Sequence, residues 1–268
     1  MKKQFKLGVI GCNLITKTII RGAVLSDFLS GRKIIVSGVT KKDEDVIDEL
    51  GVQFVDDDNY VFENSEYQLI AIKGEQLKAI SKNIGAGKLI KIISVTERLT
   101  KNEIKNIFGV SSVKVSRAIA NLPCTIGSGV IGLDMADYNS FFDDIEFITN
   151  LFNCIGTVMS VDESKFDAIA GLSVNGPAYI FMFIDSLIDA GVKQGLSKSE
   201  AKLLAVQTVL GSAEMVEREE YSLPELTMKA CNNGGTALEG VKALERNKFR
   251  EIIDEAVELS IKRMKEHD

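Results

Sequence analysis

Between residues 5 and 119 the chain alternates short apolar runs with stretches of helical spacing. Phe5–Ile10, Lys33–Val39, Tyr67–Ile72, Leu89–Val95 and Val113–Ile119 are rich in Val and Ile and show little in–out alternation. That is the pattern of strands covered on both faces. Thr16–Leu29 and Asp43–Leu50 carry helical spacing between them. This βαβα rhythm predicts a doubly wound parallel sheet. From about Tyr138 the pattern changes: a helix through Phe152, a last strand near Thr157–Val161, and no strand signal after Asp162. Pro177 suits the first turn of a helix over Ala178–Gln194. Ser197-x-x-Glu200 is a capping box opening a helix to about Glu217. Ser222–Pro224 opens another, which stops at Asn232-Asn233-Gly234-Gly235; helices over Ala237–Glu245 and Lys248–Glu266 follow. The expected fold is α/β: an N-terminal Rossmann-type doubly wound domain over residues 1–162 and an all-helical domain over 163–268.

Composition narrows the partners. Net charge is −6 and pI 5.1, so the chain lacks the basic face that phosphate neutralisation requires and nucleic acid is excluded as a partner. Cys12, Cys124, Cys154 and Cys231 are scattered, with no C-x-x-C pair, as in a reducing compartment. After Met1-Lys2-Lys3 the apolar run Leu7–Ile10 is too short for a signal peptide. The richest apolar stretch, Ala178–Ile188, is interrupted by Asp185 and falls short of the roughly 20 residues a span needs. A cytoplasmic protein with no membrane partner is expected.

Three segments could carry chemistry. Strand one runs through Gly8 into Gly11-Cys12-Asn13-Leu14-Ile15-Thr16 and a helix, the geometry that cradles a pyrophosphate on backbone N–H groups and a helix N-terminus. The full fingerprint wants glycine where Asn13 and Thr16 stand, and an Asn side chain there is expected to crowd the pyrophosphate. The alternative is a plain βα turn. Strand two ends in Ser37-Gly38-Val39-Thr40-Lys41-Lys42, with no carboxylate until Asp43. Hydroxyls and lysines suit a 2′-phosphate better than a ribose diol, which favours NADPH, with NADH second; alternatively the lysines only solvate a helix start. The loop Asn232–Thr236 precedes a helix and could form a nest for a carboxylate, or be a connector. The single histidine, His267, sits at the C-terminus, so neither a Ser-His-Asp triad nor a His-metal site can be built. Reduction of a protonated imine needs no histidine relay.

Taken together these segments resemble the pyrroline-5-carboxylate reductase family over nearly the whole chain. Asp167-Ala168-Ile169-Ala170-Gly171-Leu172-Ser173-Val174-Asn175-Gly176-Pro177-Ala178-Tyr179 is similar to the family's D-A-V-T-x-L-S-G-S-G-P-A-Y. Asp189-Ala190-Gly191-Val192 and Gln207–Gly211 follow at the family's spacing. Asn233-Gly234-Gly235-Thr236-Ala237 stands for P-G-G-x-T, Ala120-Asn121-Leu122-Pro123 for P-N-T-P with Gly127 and Gly129 after it, and Ala71-Ile72-Lys73 for A-V-K-P. Departures also stand out. The family's G-x-G-N-M is here Gly11-Cys12-Asn13-Leu14-Ile15, its S-N-R is Ser37-Gly38-Val39, and its ring-contacting threonine falls on Ala237.

The resemblance implies reduction of 1-pyrroline-5-carboxylate, or a related cyclic imino acid, to proline with NAD(P)H. It also implies a homodimer formed through the helical domain and assembly up to a decamer. It places cofactor contacts at Gly8, Gly11, Cys12, Asn13, Leu14, Ser37, Thr40, Lys41, Asn59, Ala71, Lys73 and Asn121, and substrate contacts at Asn175, Gly234, Gly235, Thr236 and Ala237; no metal is implied. Two alternatives remain at this point. One is a paralogue that keeps the fold as a regulatory or scaffold protein. The other is a β-hydroxyacid dehydrogenase, suggested by the K-x-x-N-N spacing of Lys229–Asn233.

Overall fold

The computed structural model describes residues 3–83, 89–96, 98–109, 112–218, 220–231 and 235–266. Asn232, Asn233, Gly234 and His267 therefore lie outside the described residues. The chain packs as two units, Met1–Val174 and Asn175–His267.

In the first unit the apolar runs become strands: β1 (Phe5–Ile10), β2 (Ile34–Ser37), β4 (Ser65–Ile70), β5 (Ile90–Ser94), β6 (Val113–Ala120) and β8 (Gly156–Ser160). Two strands were not predicted. β3 (Gln53–Val55) is three residues long, and β7 (Gly129–Asp134) carries two glycines that read as loop. Those glycines exist for close approach. A Cβ at Gly129 would stand 2.2 Å from Cys124 Sγ, and one at Gly132 would stand 2.9 Å from Ile169. The strand order is β3-β2-β1-β4-β5-β6-β7-β8. All pairings are parallel except β6 with β7, so the expected parallel sheet is mixed at one step. A short 3₁₀ turn over Leu122–Ile126 joins that antiparallel pair.

The helices α1 (Leu14–Leu25), α2 (Glu44–Glu49), α3 (Asp58–Asn64), α4 (Gly74–Ser81), α5 (Lys101–Phe108) and α6 (Phe142–Asn153) cover the sheet. Ile19, Ile20 and Ala23 of α1 are fully buried against Leu7, Val9 and Ile34. Each fully buried Ile contributes about 1.5–3 kcal/mol relative to exposure. The opposite face carries a second core of Phe5, Ile10, Ile35, Ile70 and Ile92 with Leu77 and Ile104. Covering on both faces is why these strands read as continuous apolar runs.

The segment after β8 packs on the sheet unit through charge. Asp134, 1% exposed, accepts from Lys101 Nζ, from Ala136 N at 2.9 Å and from Glu163 N at 2.7 Å. Glu163 Oε1 in turn accepts from Arg117 Nη1 at 2.8 Å and from Lys101 N, the first residue of α5, at 2.9 Å. Arg117 lies over the Phe166 ring. Helix α7 (Phe166–Ile169) and a π turn over Ala170–Val174 follow.

The second unit is helical: α8 (Gly176–Lys193), α9 (Lys198–Arg218), α10 (Leu223–Cys231), α11 (Thr236–Arg246) and α12 (Phe249–Lys265). The predicted Ser197–Glu200 box forms, Ser197 N to Glu200 Oε2 at 2.8 Å and Glu200 N to Ser197 Oγ at 3.3 Å. At Ser222 the N–H and the hydroxyl both donate to Glu225 Oε2, at 2.8 and 2.7 Å. Helices α8 and α9 approach through small residues, a Cβ at Gly191 standing 3.1 Å from that of Ala201. Glu163–Lys193 is long and apolar enough to cross a membrane, with mean hydropathy 1.3 in its richest window. By length and composition alone this run exceeds the Ala178–Ile188 stretch, which was expected to fall short of a span. Only 11% of that window is buried within the chain.

Candidate active site

In a parallel sheet the chain reverses direction where neighbouring connections leave to opposite sides, and a crevice opens at the strands' C-terminal ends. Here that point lies between β1 and β4, with β2 beyond β1. The strand ends bring together Gly11, Ser37–Thr40, Ala71–Lys73 and, beyond β6, Asn121.

Gly11 turns the chain from β1 to α1 with φ +94°. A Cβ there would stand 2.9 Å from Ala71 O, so the turn requires glycine. Its N–H donates to Ser37 O at 3.3 Å, while Ala71 N donates to Ile10 O at 2.9 Å. Asn13 caps α1. Its backbone is extended (φ −108°), its Oδ1 accepts from Thr16 N at 3.0 Å, and its N–H donates to Thr16 Oγ1 at 2.9 Å. The expected crowding of a pyrophosphate by this side chain is therefore overturned, because the carboxamide is folded back onto its own helix. Thr16, fully buried, also donates to Gly11 O at 2.9 Å and so closes the turn from inside. The N–H groups of Leu14 and Ile15 head the helix without an intrahelical acceptor.

Gly8 is a second correction. It lies inside β1, where a Cβ would meet Ser65 Oγ at 2.3 Å, so it serves strand–helix packing and does not reach the edge.

At the end of β2 the Ser37 hydroxyl is buried and makes no hydrogen bond among the described residues. Gly38 (φ +74°) lies across the Gly11 turn, a Cβ there standing 3.5 Å from Gly11 Cα and 3.6 Å from Cys12 N. Val39 is half-buried and packs against the core. Beyond it the chain folds back. Asp43 N and Glu44 N donate to Thr40 O at 2.8 and 3.2 Å, and Thr40 Oγ1 donates to Asp43 Oδ2 at 2.7 Å. Asp43 Oδ1 meets Lys17 Nζ at 2.5 Å. A carboxylate that sequence order put past the lysines thus stands beside the turn, while Lys41 is exposed. Lys17 and the Thr40 hydroxyl hold the Asp43 carboxyl below the ordinary carboxylate range. Burial, then Asp43, pushes the Cys12 thiol up, against an opposing effect of Lys17.

Asn121 is tied on both sides. Its Oδ1 accepts from Val130 N at 3.0 Å and its Nδ2 donates to Ser173 Oγ at 3.3 Å. Thr16, Lys17, Asp43 and Ser173 were not among the predicted site residues, although Thr16 and Ser173 lay in quoted motifs. Lys73 is exposed at the start of α4, its N–H donating to Gln76 Oε1 at 3.3 Å. Asn59, in the first turn of α3, hydrogen-bonds to the side chain of Asn83 at 3.1 Å, and no contact among the described residues links it to the Gly11 turn. In the helical unit Asn175 precedes α8, with Ala178 N donating to its carbonyl at 3.0 Å. Gly235 caps α11 without a side-chain bond, and Thr236 and Ala237 form the exposed first turn.

The chain is 31% identical over 270 residues to pyrroline-5-carboxylate reductase of Arabidopsis thaliana, covering 98% of this chain and 96% of the relative. The chain belongs to the pyrroline-5-carboxylate reductase family. The family profile described as pyrroline-5-carboxylate reductase dimerisation matches residues 163–267. Among solved structures, a pyrroline-5-carboxylate reductase from Coxiella burnetii superposes with TM-score 0.87 at 28% identity, covering 99% of this chain and 98% of that one. A Plasmodium falciparum pyrroline carboxylate reductase with NADP bound gives TM-score 0.83 at 26% identity, with 99% and 98% covered. Membership accounts for the exposed apolar stretch Glu163–Lys193: a dimerisation region presents such surface to a second copy, and the protein is a homo-oligomer. The hydroxyacid dehydrogenase alternative loses its basis. Lys229 lies near the end of α10 with Nζ 3.7 Å from the Tyr221 ring centroid, and the full-length similarity is to reductases.

Proposed function

We propose that this chain reduces 1-pyrroline-5-carboxylate to proline with NADPH, in the cytoplasm, as a dimer or a higher assembly such as a decamer. The observation that carries the reading is the Gly11 turn: an obligatory glycine at a helix N-terminus, on the sheet's switch point, with the β2 loop laid across it. The buried Ser37 hydroxyl, and the close approach of Gly38 to the Gly11 turn, also fit a dinucleotide. We assign the backbone of Gly11, Cys12, Asn13 and Leu14 to the pyrophosphate, Ser37, Thr40 and Lys41 to the adenosine side, and Ala71, Lys73 and Asn121 to the nicotinamide side. Asn59 is a peripheral member of the set. When bound, NADPH supplies the hydride that converts the ring C=N to an amine.

The chain's own contribution is positioning. Asn121 is held by Val130 and Ser173, so its carboxamide has one orientation rather than many. Asn175 and the first turn of α11 hold the substrate: the N–H groups of Gly235, Thr236 and Ala237, with Gly234 before them, face a carboxylate as helix N-termini do. A substrate that arrives as the protonated imine brings its own proton, which suits a chain whose one histidine is His267. Good placement of two reactants accounts for about 7–11 kcal/mol of barrier in favourable cases.

The test is cofactor oxidation by the purified oligomer with 1-pyrroline-5-carboxylate, beside direct titration with NADPH and NADH. Turnover with proline as product is the expected result. Binding without turnover would transfer the chain to the regulatory reading.

A further inference from the structure

Asp43, Lys17 and Thr40 meet beside the Gly11 turn, and the function above leaves two of them unused. Asp43 is bound on both oxygens, by Lys17 Nζ at 2.5 Å and Thr40 Oγ1 at 2.7 Å. Lys17 and Asp43 line a groove of about 750 Å³ whose walls also include Leu14, Arg21, Val46 and Ile126. Val39 stands where the family has its arginine and packs, half-buried, against the core; the cations lining the groove are Lys17 and, further along α1, Arg21. Lys41 and Lys42 project into solvent.

We propose that Lys17 receives the 2′-phosphate of the cofactor and that Asp43 competes for it, so that this pair, rather than Lys41 and Lys42, sets the choice between NADPH and NADH. The inference rests on the nucleotide-binding reading above. A ribose phosphate dianion is attracted by Lys17 and the Thr40 hydroxyl and repelled by the Asp43 carboxylate. An uncharged ribose diol instead donates to that carboxylate. One carboxylate thus opposes NADPH and favours NADH, while its ion pair with Lys17 keeps the cation aimed at the groove. Native discrimination is therefore modest, and it fades with added salt because the groove is open to solvent.

The experiment measures dissociation constants of NADPH and NADH for the intact protein and for Asp43→Asn, Asp43→Ser, Lys17→Met and the Lys41→Met/Lys42→Met double variant. Loss of one unit charge beside a dianion at a partly screened site should raise the NADPH preference about tenfold in Asp43→Asn. Lys17→Met should weaken NADPH about tenfold and change NADH by less than about twofold. The double lysine variant should shift the preference less than Lys17→Met does. Asp43→Ser keeps a hydrogen-bonding turn side chain and must move in the same direction as Asp43→Asn, with thermal unfolding showing that both are folded. An unchanged preference in both Asp43 variants, or equal weakening of both cofactors by Lys17→Met, overturns the inference while leaving the reductase reading intact. Failure of the wild-type chain to bind either cofactor overturns both.

Discussion

The two units of this chain bury their apolar surface to very different degrees. In the sheet unit Leu7, Val9, Ile20, Ile34, Leu69 and Ile92 are all completely buried, and the charged residues that go inside are paired. In the helical unit the described buried residues are Ile188, Ala201, Ala205 and Cys231, while Phe181, Met182, Leu203 and Leu210 are more than half exposed. Apolar patches of this extent on a lone chain mark interaction surfaces. The sheet unit closes its own core. The helical unit is completed by a second copy, and its stability is tied to protomer concentration.

The most damaging way to break this contrast acts on the sheet unit from inside. Asp134→Ala leaves Lys101 without its buried partner and frees the Glu163 N–H, and losing one member of a buried pair costs about 3–5 kcal/mol. Denaturant unfolding should show that loss, with the oligomer still formed below the transition. A loss under about 1 kcal/mol would mean that the network is peripheral. Next in size, Phe181→Asp puts a charge on the apolar face of α8. Truncations at interface centres cost about 2–4 kcal/mol, so sedimentation should show dissociation and a melting temperature that rises with protein concentration. An oligomer unmoved by this change would place Phe181 outside the interface.

Smaller effects sharpen the comparison at each unit's candidate site. Ala237→Thr restores the hydroxyl expected at the substrate ring, and one hydrogen bond of about 0.5–1.5 kcal/mol corresponds to a roughly three- to tenfold rise in kcat/KM. Thr236→Val should lower kcat/KM if the neighbouring hydroxyl has taken over the contact. Turnover unchanged in both variants would assign the first turn of α11 to another role. The smallest effect concerns Asn13. Because it caps α1 rather than crowding a phosphate, Asn13→Gly should cost only a few tenths of a kcal/mol in stability. It should leave NADPH affinity unchanged, and a tenfold gain in affinity would restore the crowding idea.

What the sequence determined by itself was everything local in origin. Apolar runs covered on both faces specified five strands, and the capping box at Ser197–Glu200 and the opening at Ser222–Pro224 marked helix starts, because strand burial and caps are written in neighbouring residues. Gly11 was legible for the same reason: a positive φ at a strand–helix turn favours glycine. Other features depended on packing between distant segments. The strand β7 was hidden because its glycines answer to Cys124 and Ile169, and Gly8 looked like a ligand contact because Ser65 lies far off in sequence. Asn13 read as an obstacle until its side chain was seen to turn onto Thr16. Asp43 is the sharpest case. In order along the chain it follows the lysines, but the Thr40 turn swings it back to Lys17, twenty-six residues away. Charge identity was in the sequence; which charges face one another was decided by the fold, because side chains that meet in space answer to the crossing of strands and helices and not to their spacing along the chain.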